Sequence, residues 1–155
     1  MLLDVRTVRG TPGASLPFSF ELTLSDMPFF GEYPLRDAVR VEGMLYNRAG
    51  MLGVKETVVY AVDTSCARCA KPLHVVKTLE LDQIIADELQ DDKNDDILLI
   101  ENDTVDAGEV ARDAVIFDMD MAHLCREDCR GLCPVCGADL NEAECEHVRA
   151  DEGNL

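Results

Sequence analysis

Tryptophan is absent from this 155-residue chain, and phenylalanine and tyrosine together make up only 5% of it. A core built from such a sequence must be aliphatic and methionine-filled. Long apolar runs are missing as well. None approaches the ~18 residues a membrane-spanning helix needs, and the opening MLLDVRTVRG lacks the apolar stretch of a secretory leader. No lipidation signal stands at either end. These absences lead us to expect a cytoplasmic protein. Basic residues are scarce: 14 Lys and Arg stand against 31 Asp and Glu, a formal net charge of −17. A field of that sign repels nucleic acid as a whole and attracts cationic partners. Catalytic signatures are wanting too. No HExxH motif, phosphate-cradling glycine loop or nucleophile–base pair occurs, so no enzyme and no small-molecule substrate is expected. His74 and His123 read as surface or packing residues.

Regular patterning is weak over residues 1–35, where Pro12, Gly13, Pro17, Pro28 and Pro34 interrupt short extended pieces and Leu16–Leu24 is the best strand. It sharpens from Val39. Val39–Tyr46 and Met51–Val62 read as strands around an Asn47–Gly50 turn, and Leu73–Leu81 alternates as a third. The TSCARCAKP segment between the last two places a cysteine pair at a hairpin tip. Residues 80–109 then carry twelve acidic groups against a single Lys93. Like charges repel and offer little apolar surface, so about 82–109 is expected as an acidic loop, with Asp87–Asp96 its solvated centre and Ile97–Ile100 a short strand inside it. Asp106 and Glu109 have capping-box spacing ahead of a helix over about 106–124. Its expected core stripe is Val110, Ala114, Phe117, Met121 and Leu124. The expected class is α+β: an antiparallel β-sheet packed by one main helix, with a cysteine-rich zinc-binding C-terminal lobe. Residues 1–124 would form the β-rich domain, and 125–155 would pack on the Cys66–Cys69 knuckle.

What the chain does have is cysteine: seven of them, an odd number without a secretory leader. That argues against a disulfide framework and for metal. Six lie in two segments, Cys66-Ala-Arg-Cys69 and Cys125, Cys129, Cys133, Cys136; Cys145 and His147 follow. A C-x-x-C turn presents two thiolates to one ion, and in Cys133-Pro-Val-Cys136-Gly137 the proline stiffens the turn while Gly137 permits a positive φ. Eight donors make two tetrahedra. Loop closure groups Cys133, Cys136, Cys145 and His147 locally and leaves Cys66, Cys69, Cys125 and Cys129 to tie the hairpin tip to the helix end. The longer closure is tolerable, because each doubling of loop length adds only about 0.6 kcal/mol. A ribbon pairing of Cys66/Cys69 with Cys133/Cys136 is the rival and implies one ion. Soft thiolates with one imidazole favour zinc. Iron in a rubredoxin-like site competes, although 63 residues separate Cys69 from Cys133. Cys129-x3-Cys133-x2-Cys136 has radical-SAM spacing but lies near the end of a short chain, and CARC lacks the strand-to-helix setting of a redox dithiol. Four protein ligands leave an ion no reactive vacancy.

The run Cys125-Arg-Glu-Asp-Cys129-Arg-Gly-Leu-Cys133-Pro-Val-Cys136-Gly-Ala-Asp-Leu-Asn141, preceded by CARC, a β-rich half, an acidic region and a helix, resembles the YceD-like family of large ribosomal RNA subunit accumulation proteins. His147 stands where that family commonly has cysteine. The resemblance implies a part in 23S rRNA synthesis, processing or stability, hence in ribosome biogenesis at the large subunit. Two partners suit the charges. Arg68, Lys71, Arg126 and Arg130 flank the cysteines and would converge on 23S rRNA phosphates, or would merely offset thiolate charge. Alternatively, the acidic surface holds a basic ribosomal protein, which the net charge favours. A zinc-stabilised interaction module without a ribosomal role, and an iron-containing redox carrier, remain the other classes.

Overall fold

The computed structural model describes residues 1–88 and 97–151. In chain order the elements are β1 (Leu2–Asp4), α1 (Arg6–Arg9), β2 (Ser15–Leu22), β3 (Val39–Arg48), β4 (Met51–Ser65), β5 (Pro72–Ala86), β6 (Ile97–Leu99), β7 (Thr104–Asp106), α2 (Ala107–Asp118) and α3 (Glu146–Asp151). The class is α+β with one main helix, as expected. Five strands form one sheet in the order β2-β3-β4-β5-β6, and β1 pairs with β7 in a second. β2, β3 and β4 run antiparallel, whereas β6 joins β5 in parallel at Ile84–Ala86, so the sheet is mixed at that edge.

Two compact units emerge, Met1–Ala61 with Val76–Met119, and Val62–Val75 with Asp120–Leu155. In the first, alternation along β3 and β4 buries Val39, Val41, Leu45, Val54, Val58 and Tyr60. Each such side chain contributes about 1.5–3 kcal/mol by leaving water. The β3–β4 hairpin turns at Ala49 (φ 55) and Gly50 (φ 93). Asn47 is buried there; its amide donates to the Val8 and Arg9 carbonyls and its oxygen accepts from Gly50 N at 2.8 Å. Missing side chains also matter. A Cβ on Gly53 would collide with the Tyr46 ring, which crosses β4 so that its hydroxyl donates to Asp82 on β5 at 2.7 Å.

Several expectations are corrected. β5 continues to Ala86, and β7 (Thr104–Asp106) lies within the span expected as an acidic loop, whereas the short strand expected at Ile97–Ile100 is present as β6. Alternation through Leu81, Gln83 and Ile85 outweighs the local acidic composition. Of the expected loop centre, residues 89–96 lie outside the described residues. The helix expected over 106–124 is Ala107–Asp118. Asp106 caps its start, accepting from Gly108 N and Glu109 N. Lys77 closes its end: Nζ donates to the Asp118 carbonyl at 2.9 Å and pairs with the Asp118 carboxylate at 2.7 Å. A cation there satisfies a last-turn carbonyl and complements the dipole. Met119 follows in extended conformation. The buried helix face is Ala107, Gly108, Val110, Ala111 and Val115, whereas Phe117 is 89% exposed. Small residues define that face because they let the helix approach closely. β1 and α1 also fall within the stretch that reads as loosely patterned.

Candidate metal centres

The second unit carries the cysteines. Its first segment is the β4–β5 hairpin tip, where Cys66 N donates to the Lys71 carbonyl and Ala70 N to the Cys66 carbonyl, with Ala70 at φ 59. This tight turn holds Cys66 and Cys69 on one side. The returning chain meets it at a backbone bridge between Cys66 and His123, Ala67 N donating to the His123 carbonyl at 2.8 Å. That contact delivers Cys125 and Cys129. Gly131 (φ 76) then passes so close to the hairpin that a Cβ would stand 2.9 Å from the Arg68 carbonyl oxygen, an acceptor for Leu132 N at 3.1 Å. Beyond it, Gly137 N donates to the Cys133 carbonyl at 2.9 Å, with Gly137 at φ 73.

Two donor groups result. Cys66, Cys69, Cys125 and Cys129 form one, and Cys133, Cys136, Cys145 and His147 the other; within each, the ligand atoms all lie within 4.8 Å of one another. The loop-closure division and this grouping coincide, and the ribbon pairing does not occur. In the first group the Sγ atoms of Cys66 and Cys129 are 3.7 Å apart, as are those of Cys69 and Cys125. Sulfurs bonded to one zinc at about 2.3 Å stand about 3.8 Å apart at tetrahedral angles, whereas a disulfide needs about 2.05 Å. The spacing fits an ion and excludes a disulfide. Three of these four sulfur-bearing residues are buried. The second group is more open, with Cys133 buried and Cys136 and His147 exposed.

Local electrostatics favour one thiolate in each group and oppose its neighbours, Cys69 and Cys136 being shifted up beside Cys66 and Cys133. Backbone N–H groups of Cys69, Cys125 and Arg68 point at the Cys66 sulfur and hold its pKa down to about 6. Those of Cys136 and Val135 do the same for Cys133, also to about 6. Burial and the neighbouring thiols push Cys125 up to about 12, since a dication is what makes four adjacent sulfurs ionisable together.

The four flanking cations are placed as follows. Arg68 donates to the Cys129 carbonyl at 2.9 Å and to the Glu127 carbonyl at 3.3 Å. Arg126 reaches Asn141 Oδ1 at 2.9 Å and Asp128 at 3.3 Å, and Arg130 pairs with Glu144 at 3.2 Å. Lys71 lies near enough to Asp139 to lower its pKa, after the larger effects of Asn141. Three guanidinium groups are thus engaged inside the lobe. His74 pairs with Asp63 at 2.7 Å. His123 joins neither donor group, and its Nε2 is buried without a hydrogen-bond partner among the described residues.

Sequence reasoning gave Asn141 no role, yet it is the hub of the lobe. Its Nδ2 donates to Cys129 Sγ at 3.4 Å, and its Oδ1 accepts from Arg130 N at 2.8 Å as well as from Arg126. Such outer groups orient metal ligands. The available signal was its place at the end of the C-P-x-C-G-x-D-L-N run.

Fold and site together define a small α+β protein with two cysteine-rich donor groups that could hold metal ions. Residues 54–154 match the family described as large ribosomal RNA subunit accumulation protein YceD, and the chain belongs to that family. Uncharacterised proteins of Mycobacterium tuberculosis and Mycobacterium bovis are each 33% identical to it over 154 residues, spanning 90% of this chain and 70% of theirs. One from Mycobacterium leprae is 31% identical over 91 residues, 56% of this chain and 42% of its own. No solved structure gives a significant match. Among the described residues, no helix is long and apolar enough to cross a membrane.

Proposed function

We propose that this chain is a non-enzymatic accessory factor for accumulation of 23S rRNA and assembly of the large ribosomal subunit, acting in the cytoplasm and built around two structural zinc ions. Family membership supports the ribosomal role. The observation that carries the metal reading is the 3.7 Å sulfur spacing across a largely buried four-cysteine group. All eight donors, Cys66, Cys69, Cys125, Cys129, Cys133, Cys136, Cys145 and His147, act as ligands in this reading, and segment 125–155 docks on the 66–69 knuckle through the first ion. With four protein ligands per ion, neither metal retains a position for substrate.

The partner we favour is a basic ribosomal protein, held before delivery to the precursor. The formal charge of −17 supports this choice, and so do Arg68, Arg126 and Arg130, whose bonds inside the lobe leave their charge offset by carbonyls and carboxylates. Four thiolates around a dication would carry a formal double negative charge, which adds to the acidic character of the chain. The test has two arms. Metal analysis of purified protein is expected to give two zinc ions per chain, and co-sedimentation is expected to place it with large-subunit precursors. Colour from bound iron, or absence from ribosomal fractions, would discard the corresponding half of the proposal.

A further inference from the structure

Between β2 and β3 the chain makes a small hairpin. Leu24 and Leu35, 6% and 0% exposed, anchor its two ends in the first unit. Phe29 N donates to the Glu32 carbonyl at 2.8 Å and Glu32 N to the Phe29 carbonyl at 2.9 Å, closing a two-residue turn. Both turn residues are left-handed, Phe30 at φ 51 and Gly31 at φ 85. Asparagine and glycine suit such a turn, and a bulky residue at its first position is strained. Burial does not compensate: Phe30 is 75% exposed and Tyr33 55%. Three of the chain's eight aromatic residues lie within Phe29–Tyr33. Folding gains little from this arrangement, which makes the tip a candidate contact surface.

The surrounding charge selects the ligand. Asp26 and Glu32 flank the aromatics, no Lys or Arg occurs from Ser25 to Leu35, and Arg36 just beyond is followed at once by Asp37. Aromatic faces beside carboxylates recognise guanidinium and ammonium groups, which stack on the ring while pairing with the acid. The same carboxylates repel RNA phosphate, and a second copy of a chain with charge −17 is repelled likewise. We propose that the Phe29–Tyr33 hairpin is the docking tip for an arginine- or lysine-rich segment of a protein partner. This rests on the basic-partner reading above and assigns it a surface.

The test uses the zinc-loaded full chain, immobilised and offered two probes: the large-subunit protein mixture freed of RNA, and protein-free 23S rRNA. A captured protein is identified and titrated against wild type, Phe30→Asn, Phe30→Tyr and Asp26→Asn/Glu32→Gln. Phe30→Asn suits the left-handed backbone, so its thermal midpoint should hold or rise while affinity falls about tenfold or more. Phe30→Tyr should stay within threefold of wild type, and the double amide variant should bind more weakly and with a shallower salt dependence. Equal binding by wild type and Phe30→Asn overturns the docking tip and leaves the partner reading standing. Capture of RNA without any protein overturns both.

Discussion

Glu56 sits in the middle of the buried stripe of β4, between Val54 and Val58, and is 0% exposed. Neither carboxylate oxygen has a hydrogen-bond partner among the described residues. Desolvation therefore raises its pKa from 4.5 to about 7; the N-terminal ammonium opposes the rise and the Asp106 charge adds a smaller push upward. The folded value lies above the unfolded one, so the unfolded chain loses this proton first as pH rises. The contribution of Glu56 to stability is fully present below about 4.5, declines between 4.5 and 7, and stays low above that. At about 1.4 kcal/mol per pH unit, the ceiling on the loss is near 3 kcal/mol. Glu56→Gln keeps the shape and removes the titration. It should match wild type near pH 4.5 and exceed it by about 2–3 kcal/mol at pH 8. Urea unfolding followed by far-ultraviolet circular dichroism, at fixed excess zinc and several pH values, measures the difference between the two proteins. Subtraction cancels the many carboxylates they share. A difference independent of pH, or wild type the more stable at pH 8, would show that Glu56 has a charged partner and refute the argument.

Other substitutions probe the metal lobe and the helix. Native mass spectrometry should show Cys66→Ala and His147→Ala each losing one of two zinc ions, and a different one, because Cys66 and His147 belong to separate donor groups. Asn141→Ala removes the Cys129 Sγ donor and the acceptor of Arg130 N, so competition with a chromogenic chelator should show zinc held 10- to 100-fold less tightly. Asp106→Ala deletes the α2 cap and should cost about 1 kcal/mol in urea unfolding.

The β3–β4 hairpin and the cysteine-bearing tip are legible in sequence because period-two alternation and turn residues act locally. The donor grouping is legible for a different reason, since loop closure depends on spacing alone. Elements whose stability comes from elsewhere are not. β1 and β7 are three residues each and exist through mutual pairing across some hundred positions, Leu3 against Val105. The α2 stripe misleads because Phe117 and Met121 dominate any reading of hydrophobicity, yet Ala107, Ala111 and Val115 make the contact. Acidic density along 80–96 hides the alternation that carries β5 to Ala86. Asn141 and Phe30 escape for a shared reason: neither a bond to sulfur nor a left-handed phenylalanine has a compositional trace.

The composition of the second unit's interior says what the proposed metals would be for. Its buried apolar side chains among the described residues are Val62, Cys66, Cys69, Cys129 and Cys133, so four of these five are cysteines. The aliphatic core belongs to the first unit. A segment with so little else to bury cannot offset its chain entropy, and in the absence of an ion its close thiols and turns have nothing to gather around. On the zinc reading proposed above, metal binding is folding for this unit, while the sheet keeps its own core of Val39, Val41, Leu45, Val54 and Val58. Hydrogen exchange with and without a strong chelator should accordingly divide the chain. Amides of Val62–Val75 and of 120–148 are expected to lose protection on metal removal, and those of Val39–Tyr60 to keep it. Protection in the cysteine-bearing unit that is indifferent to the chelator would mean its fold has another source.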